Sequence, residues 1–307
     1  MPLGGGEAGI LERVRRRAGL PTGHGLTLGI GDDCAIYRPR GAPDDLLFTT
    51  DQLIEDVHFQ HDTHSPEAVG HKALARGLSD IAAMGGRPRF CLLSLALGPR
   101  ADRRWIDRFY HGFLRLARTA GAPLAGGDLA HSAQTACDIV VCGAVPRATA
   151  LRRDGARAGD AIYVSGRLGG SALGLESKAG RAWARHLRPQ PRLVLGVFLR
   201  ERIGATAGMD LSDGISLDLH RLALASRLEA DIEMPPRFPG ASAEQALHGG
   251  EDYELLFTVR PRVKVPKRFG TIPLTRIGAM RRGKAGAVSL CGKPLPPLGY
   301  DHFRGSA

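Results

Sequence analysis

Apolar and polar positions alternate along this chain in two rhythms, and each stretch of one rhythm is closed by glycine or proline. From Ser65-Pro66-Glu67 apolar residues recur at helical spacing as far as Met84, where Gly85-Gly86 and Pro88 stop them, so a helix is predicted there. The run Phe90–Leu97 reads as a buried strand. Asp102 is placed to cap a second helix with Trp105, Ile106, Phe109, Phe113 and Ala117 on one face, ending at Gly121. Pro123–Ala125 reads as a short strand leading into Gly126-Gly127-Asp128, and Asp138–Val145 as a further strand.

A polar segment, Thr149–Asp160, separates this half from a second. That half restarts with a strand at Ala161–Gly166 and a helix led by Gly169. A break at Pro189–Pro191 precedes a helix over Arg192–Ile203. The strand Thr206–Asp210 then enters Leu211-Ser212-Asp213-Gly214 and a helix to about Leu228. Ala230–Met234 and Tyr253–Val259 are predicted strands, and Thr271–Leu295 reads as short strands joined by glycine turns. Both halves mix strands with helices. The expected fold class is therefore α/β (α+β) in two domains, residues 1–150 and 151–307.

Composition narrows the function. The 307 residues carry a net charge of +11, with arginines spread along the chain and only 6% aromatics. No helix-turn-helix, RNP or zinc-finger spacing accompanies that charge, so specific nucleic-acid binding is not expected; a basic surface also suits polyphosphate ligands. No run of about 18 uncharged apolar residues is present to span a bilayer. Cys34, Cys91, Cys137, Cys142 and Cys291 form no CxxC pair, and four of them sit in apolar runs; a cytoplasmic protein with core thiols is expected.

Against that basic background the acids gather in short glycine-rich motifs: Gly31-Asp32-Asp33, Thr49-Thr50-Asp51, Ser79-Asp80, Gly126-Gly127-Asp128, Asp210-Leu211-Ser212-Asp213-Gly214 and Gly249-Gly250-Glu251-Asp252. Most are expected where an apolar segment meets a turn or helix. Glycine permits close backbone approach, and a neighbouring carboxylate offers the hard oxygen that Mg²⁺ takes. Each motif alone reads more readily as a cap or turn, but their joint occurrence points to metal binding. The P-loop pattern and the protein-kinase motifs are absent, so phosphoryl transfer would need metal ions, backbone amides and arginines. His58, His61 and His64 imitate a metal cluster, but their spacing falls in a polar, irregular stretch.

Seven segments, GIGDDCAIY from residue 29, TTDQLIEDVHF, HKALARGLSDIAAMGG, AGGDLA, MDLSDGISLDL, GGEDYELLFT and the terminal GYDHF, together resemble the thiamine-monophosphate kinase family, in that family's order across residues 29 to 303. The resemblance implies ATP-dependent phosphorylation of thiamine monophosphate to thiamine diphosphate. It also implies a homodimer formed through strands of the first domain. By motif position, Asp33, Thr49, Thr50, Asp51, Asp80, Asp128, Asp210 and Asp213 would hold several Mg²⁺ ions. Tyr110, Gly127, Arg153 and Ser212 would contact ATP, and His58, Glu251 and Tyr300 the thiamine phosphate. In that role Glu251 would compensate the thiazolium charge and Tyr300 stack on the ring. Two departures stand out: Gly77 where relatives commonly carry Asn, and the acidic pair Glu55 and Asp56 before His58.

Overall fold

The computed structural model describes residues 6–19 and 24–303. The first half holds α1 (Gly6–Ala18), β1 (Leu26–Leu28), β2 (Ala35–Tyr37), β3 (Asp44–Ile54), α2 (Pro66–Ala83), β4 (Arg87–Leu97), α3 (Arg103–Ala120), β5 (Leu124–His131) and β6 (Ala136–Pro146). These strands form one six-stranded sheet in the order β1-β2-β3-β6-β4-β5. Pairing is antiparallel except between β4 and β5, which run parallel through α3.

Local chemistry sets both long helices. Ser65 caps α2, its side chain accepting from Ala68 N, with Pro66 in the first turn. Asp102 caps α3 by accepting from Trp105 N at 2.7 Å, and Gly121 closes it in the left-handed region. The two helices cross at glycines: a Cβ on Gly70 would fall 2.1 Å from the Phe109 carbonyl oxygen, and one on Gly112 2.0 Å from that of Glu67. Their contact buries Leu74, Leu78, Phe109 and Phe113 against Leu47, Leu53, Ile139 and Val141 of the sheet. That burial, at about 25 cal/mol per Å² of apolar surface, is the main force holding the layer together.

The second half holds β7 (Ala161–Ser165), α4 (Gly170–Ser177), α5 (Gly180–Leu187), α6 (Leu193–Phe198), β8 (Ala207–Asp210), α7 (Ile215–Ala225), β9 (Glu229–Ile232), α8 (Ala243–His248), β10 (Leu255–Val259), β11 (Arg268–Phe269), β12 (Ile272–Arg281), β13 (Val288–Leu290) and β14 (Lys293–Pro294). Its sheet runs β14-β13-β9-β12-β7-β10-β8, with β11 paired to β12. The expected helix over Arg192–Ile203 appears as α6 followed by a π-turn at Leu199–Ile203. Helix α2 also packs on α6 and β8, so it forms the joint between the two sheets.

Three sequence expectations need correction. Thr49-Thr50-Asp51 lies inside the continuous strand β3 and Gly126-Gly127-Asp128 inside β5, not in turns. A Cβ on Gly127 would fall 1.8 Å from the Leu93 carbonyl oxygen, so this glycine answers to close strand approach. The strand over Phe90–Leu97 buries one face only: Cys91, Leu93 and Leu95 point inward while Ser94 is exposed.

Candidate active site

The cleft between the two sheets encloses about 1030 Å³ and is lined from both halves, with Asp51, His58, Arg76 and Asp80 on one side and Asp210, Ser212, Glu251 and Tyr300 on the other. At one end Asp33, Asp80 and Asp210 each present a carboxylate oxygen within 4.8 Å of the other two. The three come from the segment before β2, from the buried side of α2 and from the end of β8. Burial first, then the neighbouring acids, pushes Asp80 well above the usual carboxylate range. Burial and Asp33 push Asp210 up to about 7. Asp33 Oδ2 is buried with no hydrogen-bond partner. An orphaned oxygen among mutually repelling acids fits a hard divalent cation such as Mg²⁺.

Polar partners hold this group in place. Ser79 Oγ donates to Asp210 Oδ2 at 2.6 Å, and Thr49 Oγ1 donates to Asp80 Oδ2. Arg153, on a 3₁₀ turn in what reads from sequence as a plain connection, reaches Asp33 Oδ1 at 2.6 Å. Asp51 accepts two bonds from Arg76, at 2.7 and 2.9 Å. Asp213 pairs with Arg221, and its turn is fixed by the Asp218 carboxylate, which accepts from both Asp213 N and Gly214 N. Ser212 lines the cleft on that turn.

His58, Glu251 and Tyr300 also line this cleft. His58 Nδ1 accepts from Ile54 N at 3.1 Å, and burial with Arg76 nearby lowers its pKa to about 3, leaving the ring neutral. The Gly249-Gly250-Glu251 loop folds onto the Ser212 turn, Glu251 N donating to Ser212 O. Glu251 and Tyr253 take left-handed φ values of 62° and 49°, strain that persists where surrounding structure imposes it. Tyr300 N donates to Asp213 O, and its ring stands edge-on to His302, which contacts His58.

Not every residue singled out from sequence comes to this cleft group. Thr50 lines the cleft, but its side chain leaves β3 on the opposite face from Thr49 and Asp51, and its hydroxyl donates to Asp138 Oδ1 and not to the acid group. Asp128 is exposed on that same open face, in one cross-strand row with Ser94, Asp138 and Gln52. Gly127 is its neighbour on β5. Tyr110 packs against the first core and is not among the residues lining the cleft. His58, His61 and His64 diverge: His61 faces Glu55, and His64 faces His186. Gly77 abuts Val141, where a Cβ would fall 2.7 Å from Cγ2, so an Asn there would need β6 to move. Of the acidic pair, Asp56 lines the cleft while Glu55 turns inward and accepts from Thr135 N.

Lys72 and Arg76, although inside the HKALARGLSDIAAMGG segment, and His186 receive no role from the motif reading. Lys72, Arg76 and Asp80 stand at i, i+4 and i+8 on α2, and that one-faced spacing is the signal that could have found the first two.

The AIR synthase related protein N-terminal domain matches residues 31–145. Thiamine-monophosphate kinase of Haemophilus influenzae is 36% identical over 92% of this chain and 93% of its own length. That of Escherichia coli strain K12 is 38% identical over 91% and 92%. A solved structure of AaThiL complexed with AMPPCP and TMP is 32% identical, covers 97% of both chains, and superposes with a TM-score of 0.86. With such identity over nearly its whole length, the chain belongs to the thiamine-monophosphate kinase family.

Proposed function

We propose that this protein transfers the terminal phosphoryl group of ATP directly to the phosphate of thiamine monophosphate, giving ADP and thiamine diphosphate. The carrying observation is the group formed by Asp33, Asp80 and Asp210, in a cleft that His58, Glu251 and Tyr300 also line. Asp33, Asp80 and Asp210 would hold Mg²⁺, with Thr49 and Asp51 beside them and Asp213 on the adjoining turn. Bound there, Mg²⁺ supplies neutralisation of phosphate charge and alignment of the transferring group. Arg153 and Ser212 would contact the nucleotide's phosphates, and His58, Glu251 and Tyr300 the acceptor.

The acceptor phosphate, with a second pKa near 6, is mostly dianionic at neutral pH and needs no general base. The task left to the protein is to bring two anions together. At ~4 Å each pair of unit charges costs about 4 kcal/mol even at an effective dielectric constant of 20. Arg76 and Arg153, each held by an aspartate, oppose that repulsion while keeping a fixed geometry.

Thr50, Gly127 and Asp128 belong to this reading through a homodimer. The open face of the first sheet and the edge strand β5, with Leu129 63% exposed, offer surface that a second copy would cover. Their share in metal and nucleotide binding would then lie at the margin of that interface. Tyr110 is assigned to ATP by motif position alone. The division near residue 150 follows the change of sheet between β6 and β7. The unpaired cysteines suit the cytosol.

An acceptor screen with ATP and Mg²⁺, reading ADP release, tests the proposal. Thiamine monophosphate should be the preferred acceptor. Faster turnover with unphosphorylated thiamine, or with an unrelated phosphomonoester, would remove the assignment.

A further inference from the structure

Lys72 is a fully buried lysine on α2. Its Nζ stands 2.8 Å from each carboxylate oxygen of Glu251 and 3.4 Å from His186 Nε2. The histidines around it bring no charge. Burial, then Lys72 itself, pulls His64 and His186 down to about 4, and the two rings meet through their Nε2 atoms at 3.4 Å. His186 lies flat on Trp183 and exchanges a hydrogen bond with Ser171 Oγ. Lys72 is therefore the cation in hydrogen-bond contact with Glu251, and Arg76 stands farther off at 3.8 Å. Burial pushes the Glu251 carboxyl up, but the neighbouring cations, Lys72 foremost, hold it well below the usual carboxylate range.

Two features make this pair more than a buried ion pair. Glu251 is presented by a loop in left-handed backbone, so neither a helix nor a strand fixes its side chain. Lys72 supplies that anchor from α2, which also carries Arg76 one turn on and Asp80 a further turn on. A single rigid helix thus sets the acceptor-end carboxylate against the metal group, about 12 Å apart along its axis. The charges also balance: Lys72 and Arg76 offset Glu251 and Asp51.

We infer that Lys72 is a positioning residue for the phosphoryl acceptor. Through its ion pair it fixes Glu251 and cancels its charge, so that Glu251 meets the acceptor as an oriented hydrogen-bond acceptor and not as a free counter-ion. The inference rests on the proposed function and departs from the expectation that Glu251 balances a thiazolium charge. Glu251 Oε1 is itself buried 2.8 Å from Lys72 Nζ, while the residue lines the cleft, so the ion pair sets how the carboxylate is presented to a ligand.

Steady-state kinetics of Lys72→Met, Glu251→Gln and the double variant, with unfolding curves and calorimetric binding of thiamine monophosphate, test it on the full chain. Lys72→Met leaves a buried carboxylate unpaired and should raise KM for thiamine monophosphate about 30-fold or more, with KM for ATP unchanged. The double variant, in which no charge is orphaned, should fold even if Lys72→Met does not, and should recover part of the acceptor affinity that Lys72→Met loses. A general structural role would move both KM values and kcat together, and that result overturns the inference. So does an unchanged acceptor KM in Lys72→Met, or a double variant that binds the acceptor no better than Lys72→Met. Wild-type protein that releases no ADP with thiamine monophosphate would overturn the proposed function and this inference with it. Normal wild-type turnover with unchanged Lys72→Met kinetics would overturn the Lys72 role alone.

Discussion

Ser79 Oγ donates to Asp210 Oδ2 over 2.6 Å, tying the middle of α2 to the last residue of β8. This bond joins the two halves at the acid group, which neither half could assemble alone. Asp33, Asp80 and Asp210 should then behave as one unit. Asn substitution at any of them is expected to lower kcat by at least about 100-fold, and pairs of substitutions should cost scarcely more than one. Stopped-time ADP assays on single and double variants check this, and additive losses would mean three independent roles.

The same group is unfavourable without a cation, because its carboxylates are buried together and repel. Mg²⁺ binding to the folded chain should therefore raise Tm by roughly 4 °C at about 100 times its Kd. Asp33→Asn should lose most of that shift. Differential scanning fluorimetry with and without Mg²⁺ reads it directly, and an equal shift in the variant would place the ion elsewhere.

His64 and His186 are buried and neutral, their pKa lowered to about 4 from the usual histidine value. As pH falls, the unfolded chain takes up these protons first. Their contribution is present above about pH 6.5 and is lost as pH drops towards about 4. Urea unfolding near pH 7 and about pH 5 should show a smaller stability loss in His64→Gln than in the wild type. An identical loss would mean that His64 is not buried neutral.

On the open face of the first sheet, Leu92 and Ala130 stand on adjacent strands beside Ser94 and Asp128. Light scattering should report about twice the 32.8 kDa chain mass. Leu92→Glu should shift it towards one chain mass with the circular dichroism unchanged. A dimer that survives this substitution would be built on another surface.

Tyr300 is 49% exposed, in the aromatic group with His302 and His58 at the cleft mouth. Tyr300→Ala should raise KM for thiamine monophosphate by roughly 2- to 30-fold, the range of one cation–π contact from exposed to desolvated. KM for ATP should hold. If both constants rise together, the tail supports the fold and does not read the acceptor.

Signals that act over a few residues were legible in the sequence. Ser65 and Asp102 announce the starts of α2 and α3, Gly85 and Gly121 their ends, because a cap satisfies backbone groups within its own turn. The family and its chemistry were equally legible, since the motifs keep their order along the chain. The acids could be named, but their grouping could not. Thr49, Thr50 and Asp51 are consecutive, yet strand alternation gives the Thr50 hydroxyl to Asp138 while Thr49 reaches Asp80 and Asp51 pairs with Arg76.

Tertiary structure alone decided which charges meet. Lys72 and Glu251 are 179 positions apart, and Ser79 and Asp210 are 131 apart. No local preference encodes such pairs. They exist because α2 is buried between two sheets, where every ionised group must find its partner from whatever part of the chain the packing brings within reach.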